Sequence, residues 1–330
     1  MADGIQDSFG REFVYLRLSV TERCNFRCVY CLPKGYTAAG GAPRNGELSV
    51  AEVARLVRAL AKAGVWKVRL TGGEPTVRPD IVELVRAVAA TAGVRRVALT
   101  TNGYRLRSLA APLAAAGLSA LNVSVDSLSR SRFADITGKD LLPRVLVGID
   151  QALAVGISSV KINTVLLGGT GSDDVHSFIA FARDRPVEVR FIELMRTGEN
   201  EAFFARHHVR GTETIATLVD RGWRERAREP GAGPARVFEH ADFLGTVGII
   251  APYDDSFCAS CNRIRVSARG AVRLCLFGSG EASVRALLTD DADADVLVRR
   301  VRSLVGGKAD RHGLHEGRVG GTRHLALIGG

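Results

Sequence analysis

Six cysteines fall into two sets of three along the 330-residue chain, and none is left over. Cys24, Cys28 and Cys31 lie within "CNFRCVYC", and Cys258, Cys261 and Cys275 within "FCASCNRIRVSARGAVRLCLF" (257–277). A disulfide framework is not expected in a long chain read as cytosolic, so metal ligation is the better reading. A structural zinc takes four ligands, so each set would need a histidine from elsewhere. A 4Fe–4S cluster takes one ligand per iron, and three cysteines leave one iron open to a small chelating cofactor or substrate. Spacing alone leaves both metals standing.

Repeated β–α units must position the first set. Strand-like segments run over 13–20, 65–71, 94–102, 118–126, 159–167 and 187–195, with helix-length amphipathic stretches between most of them. "SVAEVARLVRALAKAG" (49–64) opens on a capping box, Ser49 with Glu52, and closes on Gly64. Side chains alternate across a strand, so Tyr15, Arg17 and Ser19 share one face. Lys67, Arg69 and Thr71 do the same, as do Arg96, Thr100 and Asn102, then Asn122, Ser124 and Asp126, then Lys161 and Asn163. The opposite faces are mostly apolar. A doubly wound sheet needs strands apolar on both faces, and a closed eight-stranded barrel fills with Val, Ile and Leu. The pattern instead predicts an α/β fold of incomplete barrel type around a polar, liganded cavity. Beyond residue 196 the pattern loosens. "GWRERAREPGAGPARVF" (222–238) reads as turn and loop, a short strand is expected over 245–252, and helices near 281–289 and 293–305.

The formal charge of +10 comes without a long basic run interleaved with aromatics, so a dedicated nucleic-acid surface is not favoured. The opening "MADGIQDSFGREF" carries acids and no apolar core, so no secretory leader is expected, and no run is long enough to span a membrane. The expected localisation is cytoplasmic.

"CNFRCVYC", with the aromatic Tyr30 before its last cysteine, resembles the C-x3-C-x2-C signature of radical S-adenosylmethionine enzymes. "LTGGEPTVR" (70–78) resembles their GGEP element. With the second set, its Arg263-Ile264-Arg265 run and the terminal "IGG", nearly the whole chain resembles the MoaA family of GTP 3′,8-cyclases of molybdenum cofactor synthesis. That resemblance implies an incomplete six-stranded (β/α)6 TIM-like barrel over 1–196. A C-terminal region, 197–330, would carry a second cluster and close the barrel. It implies that Cys24, Cys28 and Cys31 hold one 4Fe–4S cluster and Cys258, Cys261 and Cys275 another. Tyr30, Gly73, Ser124 and Met195 would line S-adenosylmethionine. Arg17, Arg69, Thr100, Lys161, Arg263, Ile264 and Arg265 would hold GTP, and the Gly329–Gly330 tail would enter the active site. The implied reaction is radical: hydrogen leaves C3′ of GTP and C3′ joins C8, giving (8S)-3′,8-cyclo-7,8-dihydroguanosine 5′-triphosphate. The implied partners are GTP, an electron donor, the downstream cyclic pyranopterin monophosphate synthase and a possible homodimer mate, with no nucleic acid and no membrane. The sequence departs from the family's usual form at Leu32, at Leu325, and over "LLGGTGSDD" (166–174) and "RTGENEAFF" (196–204). Two rival readings are a radical enzyme that modifies a peptide and a zinc-stabilised nucleic-acid binder.

Overall fold

Each β–α unit follows from local signals. Val50–Lys62 is a helix because Ser49 caps it: the Ser49 hydroxyl accepts from Glu52 N at 3.2 Å, and the Glu52 carboxylate accepts from Ser49 N at 2.8 Å. Val53, Leu56, Val57 and Leu60 recur at helical spacing and are all buried. The chain then turns at Gly64, whose φ of +96° suits a residue without Cβ. Truncating Leu56, which has no exposed surface, would cost about 2–5 kcal/mol.

In the computed structural model, which describes residues 4–36, 46–169, 171–278, 280–322 and 325–327, this unit repeats. The first six strands are β1 (Tyr15–Ser19), β2 (Lys67–Thr71), β3 (Arg96–Thr101), β4 (Ala120–Ser124), β5 (Ser159–Leu166) and β6 (Val187–Glu193). Helices α1 (Val50–Lys62), α2 (Ile81–Ala89), α3 (Leu106–Ala115), α4 (Arg130–Thr137), α5 (Leu142–Ala154) and α6 (Gly171–Arg183) stand between them. Each strand is parallel to the next. Leu16, Leu18, Val68, Leu70, Val123 and Ile162 belong to the apolar core that the helices share.

The C-terminal region joins the same sheet at both ends. Helices α7 (Glu201–His207) and α8 (Gly211–Asp220) precede β7 (Arg224–Glu225), β8 (Arg236–Glu239) and β9 (Thr246–Ile250). Next come β10 (Arg263–Val266), β11 (Ala271–Arg273), β12 (Glu281–Ser283) and α9 (Ala294–Gly306). β9 pairs in parallel with β6, and β10 in parallel with β1. The resulting order is β12-β11-β10-β1-β2-β3-β4-β5-β6-β9-β8-β7. The six-stranded incomplete barrel is thus present and extended by a parallel strand at each side.

Two segments differ from expectation. Residues 222–238 contain two short strands, because the edge of β9 offers backbone partners to a stretch whose side chains give no strand signal. Residues 281–289 form β12 and a 3₁₀ turn at Arg285–Leu288, since pairing with β11 outweighs the helical bias of "EASVRALL". Among the described residues no helix is long and apolar enough to cross a membrane.

Candidate active site

The inner faces of these strands enclose one cavity of about 1190 Å³. That exceeds the roughly 300–1,000 Å³ of an ordinary small-molecule pocket. It is lined by all six cysteines and by Tyr30, Gly73, Ser124, Met195, Arg17, Arg69, Thr100, Lys161, Arg263 and Arg265. Ile264 is the exception: it points to the other face of β10, is 1% exposed and packs in the apolar core. A contact from that position must use its backbone. Gly329 and Gly330 lie outside the described residues.

Register sets the order of charge. Arg263, Tyr15, Lys67 and Arg96 sit side by side across β10, β1, β2 and β3, and Arg265, Arg17 and Arg69 form the next rung. Arg69 NH1 donates to the Thr100 hydroxyl at 3.1 Å, and Lys67 Nζ to Gly231 O at 2.9 Å. Burial, then Arg265, pulls Arg17 down to about 9. Burial, then Arg263, pulls Arg265 down to about 10. Arg263 Nε and Arg265 NH1 are buried without a hydrogen-bond partner among the described residues. Buried donors of this kind are costly unless a ligand meets them. Across the cavity, Glu188 bridges Lys161 and Arg190. Burial, then Arg190, lowers Lys161 to about 8, while Arg190 and Lys161 overcome burial to hold Glu188 at about 2. Glu188 and Arg190 were missed in the sequence, although the same period-two alternation in "VEVRFIE" puts both on the inner face.

The two cysteine sets take opposite ends. Cys24, Cys28 and Cys31 follow the C-terminal end of β1, whereas Cys258 and Cys261 precede the N-terminal end of β10, its parallel neighbour. Five residues of β1 separate the two levels, roughly 15 Å of strand. Near the first set, Tyr30 donates to Asp126 Oδ2 at 2.8 Å, and Asp126 Oδ1 accepts from Val165 N at 3.1 Å. Burial pushes Cys24 up to about 11, Cys31 to about 12, and Asp126 to about 6. The second set lies among cations. Burial would raise Cys261, but Arg263 and Lys308 pull it down to about 6. Arg11 ties this loop to the C-terminal segment, donating to Cys258 O at 3.0 Å and Ala309 O at 2.7 Å.

Gly72 and Gly73 pack against the backbone that leads into Cys24. A Cβ at Gly73 would lie 2.4 Å from Arg23 O, so a side chain there is excluded. Gly73 N donates to Thr21 O at 2.9 Å, and Glu74 N to Arg23 O at 2.7 Å. The buried Glu74 carboxylate then holds Asn102 N at 2.6 Å and the Thr101 hydroxyl at 2.7 Å, joining the ends of β2 and β3.

These donors fit a cluster at each set. Each set brings three thiols to the cavity, a number that leaves one iron of a 4Fe–4S cluster open. A cubane spreads its thiolates over separate irons. Backbone N–H groups also face the sulfurs: Phe26 N lies 3.4 Å from Cys24 Sγ, Phe277 N 3.5 Å from Cys275 Sγ, and Leu325 and Ala326 donate to Cys31. Such bonds stabilise ionised sulfur in iron–sulfur sites.

The family model described as Radical SAM superfamily matches residues 18–182, and the one described as Molybdenum Cofactor Synthesis C matches 187–314. A GTP 3′,8-cyclase of Stenotrophomonas maltophilia is 53% identical over 326 residues, covering 99% of each chain. The chain belongs to the GTP 3′,8-cyclase family. The Vibrio cholerae relative of that name is 48% identical over 330 residues, covering 100% of this chain and 98% of its own. Among solved structures, Streptococcus suis SuiB bound to S-adenosylmethionine matches with a TM-score of 0.60 at 13% identity, over 89% of this chain and 68% of its own. At that identity the likeness concerns the fold.

Proposed function

We propose that this chain is a radical S-adenosylmethionine GTP 3′,8-cyclase of molybdenum cofactor biosynthesis. The observation that carries the reading is the single cavity with a cysteine set at each end and two cationic rungs between them. Cys24, Cys28 and Cys31 would hold one 4Fe–4S cluster, and Cys258, Cys261 and Cys275 a second. When bound, the first cluster and S-adenosylmethionine supply the one-electron chemistry that removes hydrogen from a ribose carbon.

The chain's own residues do the rest. Arg17, Arg69, Arg263, Arg265 and Lys161 clamp the triphosphate; guanidinium forks match phosphate oxygens in pairs and stay charged. Thr100 braces Arg69 through its hydroxyl. Holding the phosphates on the rungs between the two sets fixes the nucleotide in the cavity, so the reacting atoms stay oriented. Tyr30, Gly73, Ser124 and Met195 border the space beside Cys24, Cys28 and Cys31 and enclose S-adenosylmethionine. Asp126 and Glu193 place negative charge at this end, suited to a sulfonium. Residues 1–196 carry the radical half, and 197–330 close it and supply the nucleotide end. The one-electron chemistry would draw on an outside electron donor, and the enzyme works in the cytoplasm.

The cationic rungs favour this over peptide modification, since a peptide offers no triphosphate to neutralise them. The test is anaerobic incubation of reconstituted protein with GTP, S-adenosylmethionine and dithionite. The expected products are 5′-deoxyadenosine and a cyclised nucleotide. Cofactor cleavage that never consumes GTP would overturn the reading.

A further inference from the structure

Tyr15 is the one member of the two rungs that carries no positive charge. It is 3% exposed. Its phenol oxygen accepts from Arg69 Nε at 2.5 Å, and Lys67 Nζ sits 4.6 Å from its ring centre. Among the described residues that oxygen takes one hydrogen bond and gives none, so a phenolic proton there has no acceptor. Arg17 faces it from β1, Lys67 and Arg69 from β2, Arg96 from β3, and Arg263 and Arg265 from β10. Cys261 lies just ahead of β10, and Glu188 with Arg190 lie across the cavity. Glu188 is engaged by Lys161 and Arg190, whereas Lys67, Arg69, Arg96, Arg263 and Arg265 form no ion pair with a carboxylate among the described residues.

We propose that Tyr15 is a positioning residue of this site: its oxygen fixes Arg69 and serves as the built-in counter-charge that substrate phosphates replace, so nucleotide binding takes up a proton at that oxygen. The inference rests on the nucleotide reading above. Before binding, an ionised phenol balances part of the surrounding positive charge and orients the Arg69 fork. When a triphosphate arrives, two anions compete for the same cations, and the phenolate takes a proton from solvent to become a neutral phenol. Burial alone would push this phenol up, but Arg69, Arg17 and Lys67 outweigh it and pull it down to about 6. With phosphate neutralising those cations, it returns toward its ordinary value of about 10.

The sign follows by linkage. The complex binds more protons than the free protein, so affinity rises as pH falls. Between about pH 8 and about pH 6 the gain is about tenfold per pH unit, and it levels off below the free-state value. Burial and neighbouring arginines bring Lys67 and Lys161 down to about 8, so their own proton uptake is confined to the upper end of that range.

The experiment is titration calorimetry of the reconstituted holoenzyme with GTP near pH 7, in buffers of different ionisation enthalpy, for wild type and Tyr15→Phe. The γ-phosphate's own protonation is common to both proteins and cancels. Wild type should take up about one proton more than the variant, and Tyr15→Phe should lose the pH slope while retaining iron content and S-adenosylmethionine binding. Loss of the ultraviolet band of ionised tyrosine when GTP is added to wild type is the second readout, and it decides alone if the variant does not assemble. Equal proton uptake in both proteins, or a wild-type band untouched by GTP, would overturn the assignment. No GTP binding by wild type at any pH would instead overturn the nucleotide reading, and this inference with it.

Discussion

The two cysteine sets share one cavity, yet their surroundings are opposite. The first lies past the C-terminal ends of the strands, where Asp126 and Glu193 line the wall and burial pushes Cys24 and Cys31 up. The second lies before the N-terminal end of β10, where Arg263 and Lys308 draw Cys261 down. Like sets of three thiols therefore sit in surroundings suited to ligands of opposite charge. A cationic sulfonium suits the acidic end, and a polyanionic nucleotide suits the basic end. The division is made by strand register: cations occupy the first half of β2 and β5, and carboxylates the end of β6 and the turn after β4.

The largest effects should come from removing one thiol at each end. Cys24→Ala is expected to abolish both S-adenosylmethionine cleavage and nucleotide product. Cys261→Ala should abolish the nucleotide product while slow cofactor cleavage survives. Chromatography of 5′-deoxyadenosine and cyclised nucleotide measures both, and loss of cleavage in the two variants alike would break the division of labour. Next is Arg69→Ala, which removes a charged hydrogen-bond donor. GTP binding should weaken by about 1.5–3 kcal/mol, roughly 10–150-fold, with S-adenosylmethionine affinity unchanged by calorimetry.

pH gives a finer probe. Lys161, near 8 in the free site, loses its charge as pH rises through that value, so the fall in wild-type GTP affinity with rising pH should steepen above about pH 8. Lys161→Arg stays charged and should lack that added steepening for about one pH unit. Smallest is Ile264→Val. It should cost about 0.5–1.5 kcal/mol of stability in denaturant melts and leave GTP affinity unchanged, because the side chain faces the core. A large change in GTP affinity would mean that β10 presents its other face.

Much of this site was legible beforehand because period-two alternation is a local property. Arg17, Arg69, Thr100, Ser124 and Lys161 could be placed on inner faces by counting. Glu188 and Arg190 were equally countable on the sixth strand. What could not be read was the pairing of β10 with β1, a parallel contact between segments some 250 residues apart that no local pattern encodes. Without that register the two cysteine sets have no ends to occupy, and Tyr15 has no place between Arg263 and Lys67. Ile264 shows the same gap: it was grouped with its neighbours by motif, yet strand geometry turns it away. The outer strands β7, β8 and β12 were hidden because backbone groups, not side chains, recruit them.

The late arrival of β10 also bears on synthesis. One edge of β1 stays unpaired until Val266 has left the ribosome, at about 5–20 residues per second a wait of some tens of seconds. During that interval an open strand edge bearing Arg17 is available to any passing β segment. A truncated chain ending before β10 would keep that edge permanently, so fragments of the first half should be far more prone to clump than the full-length protein.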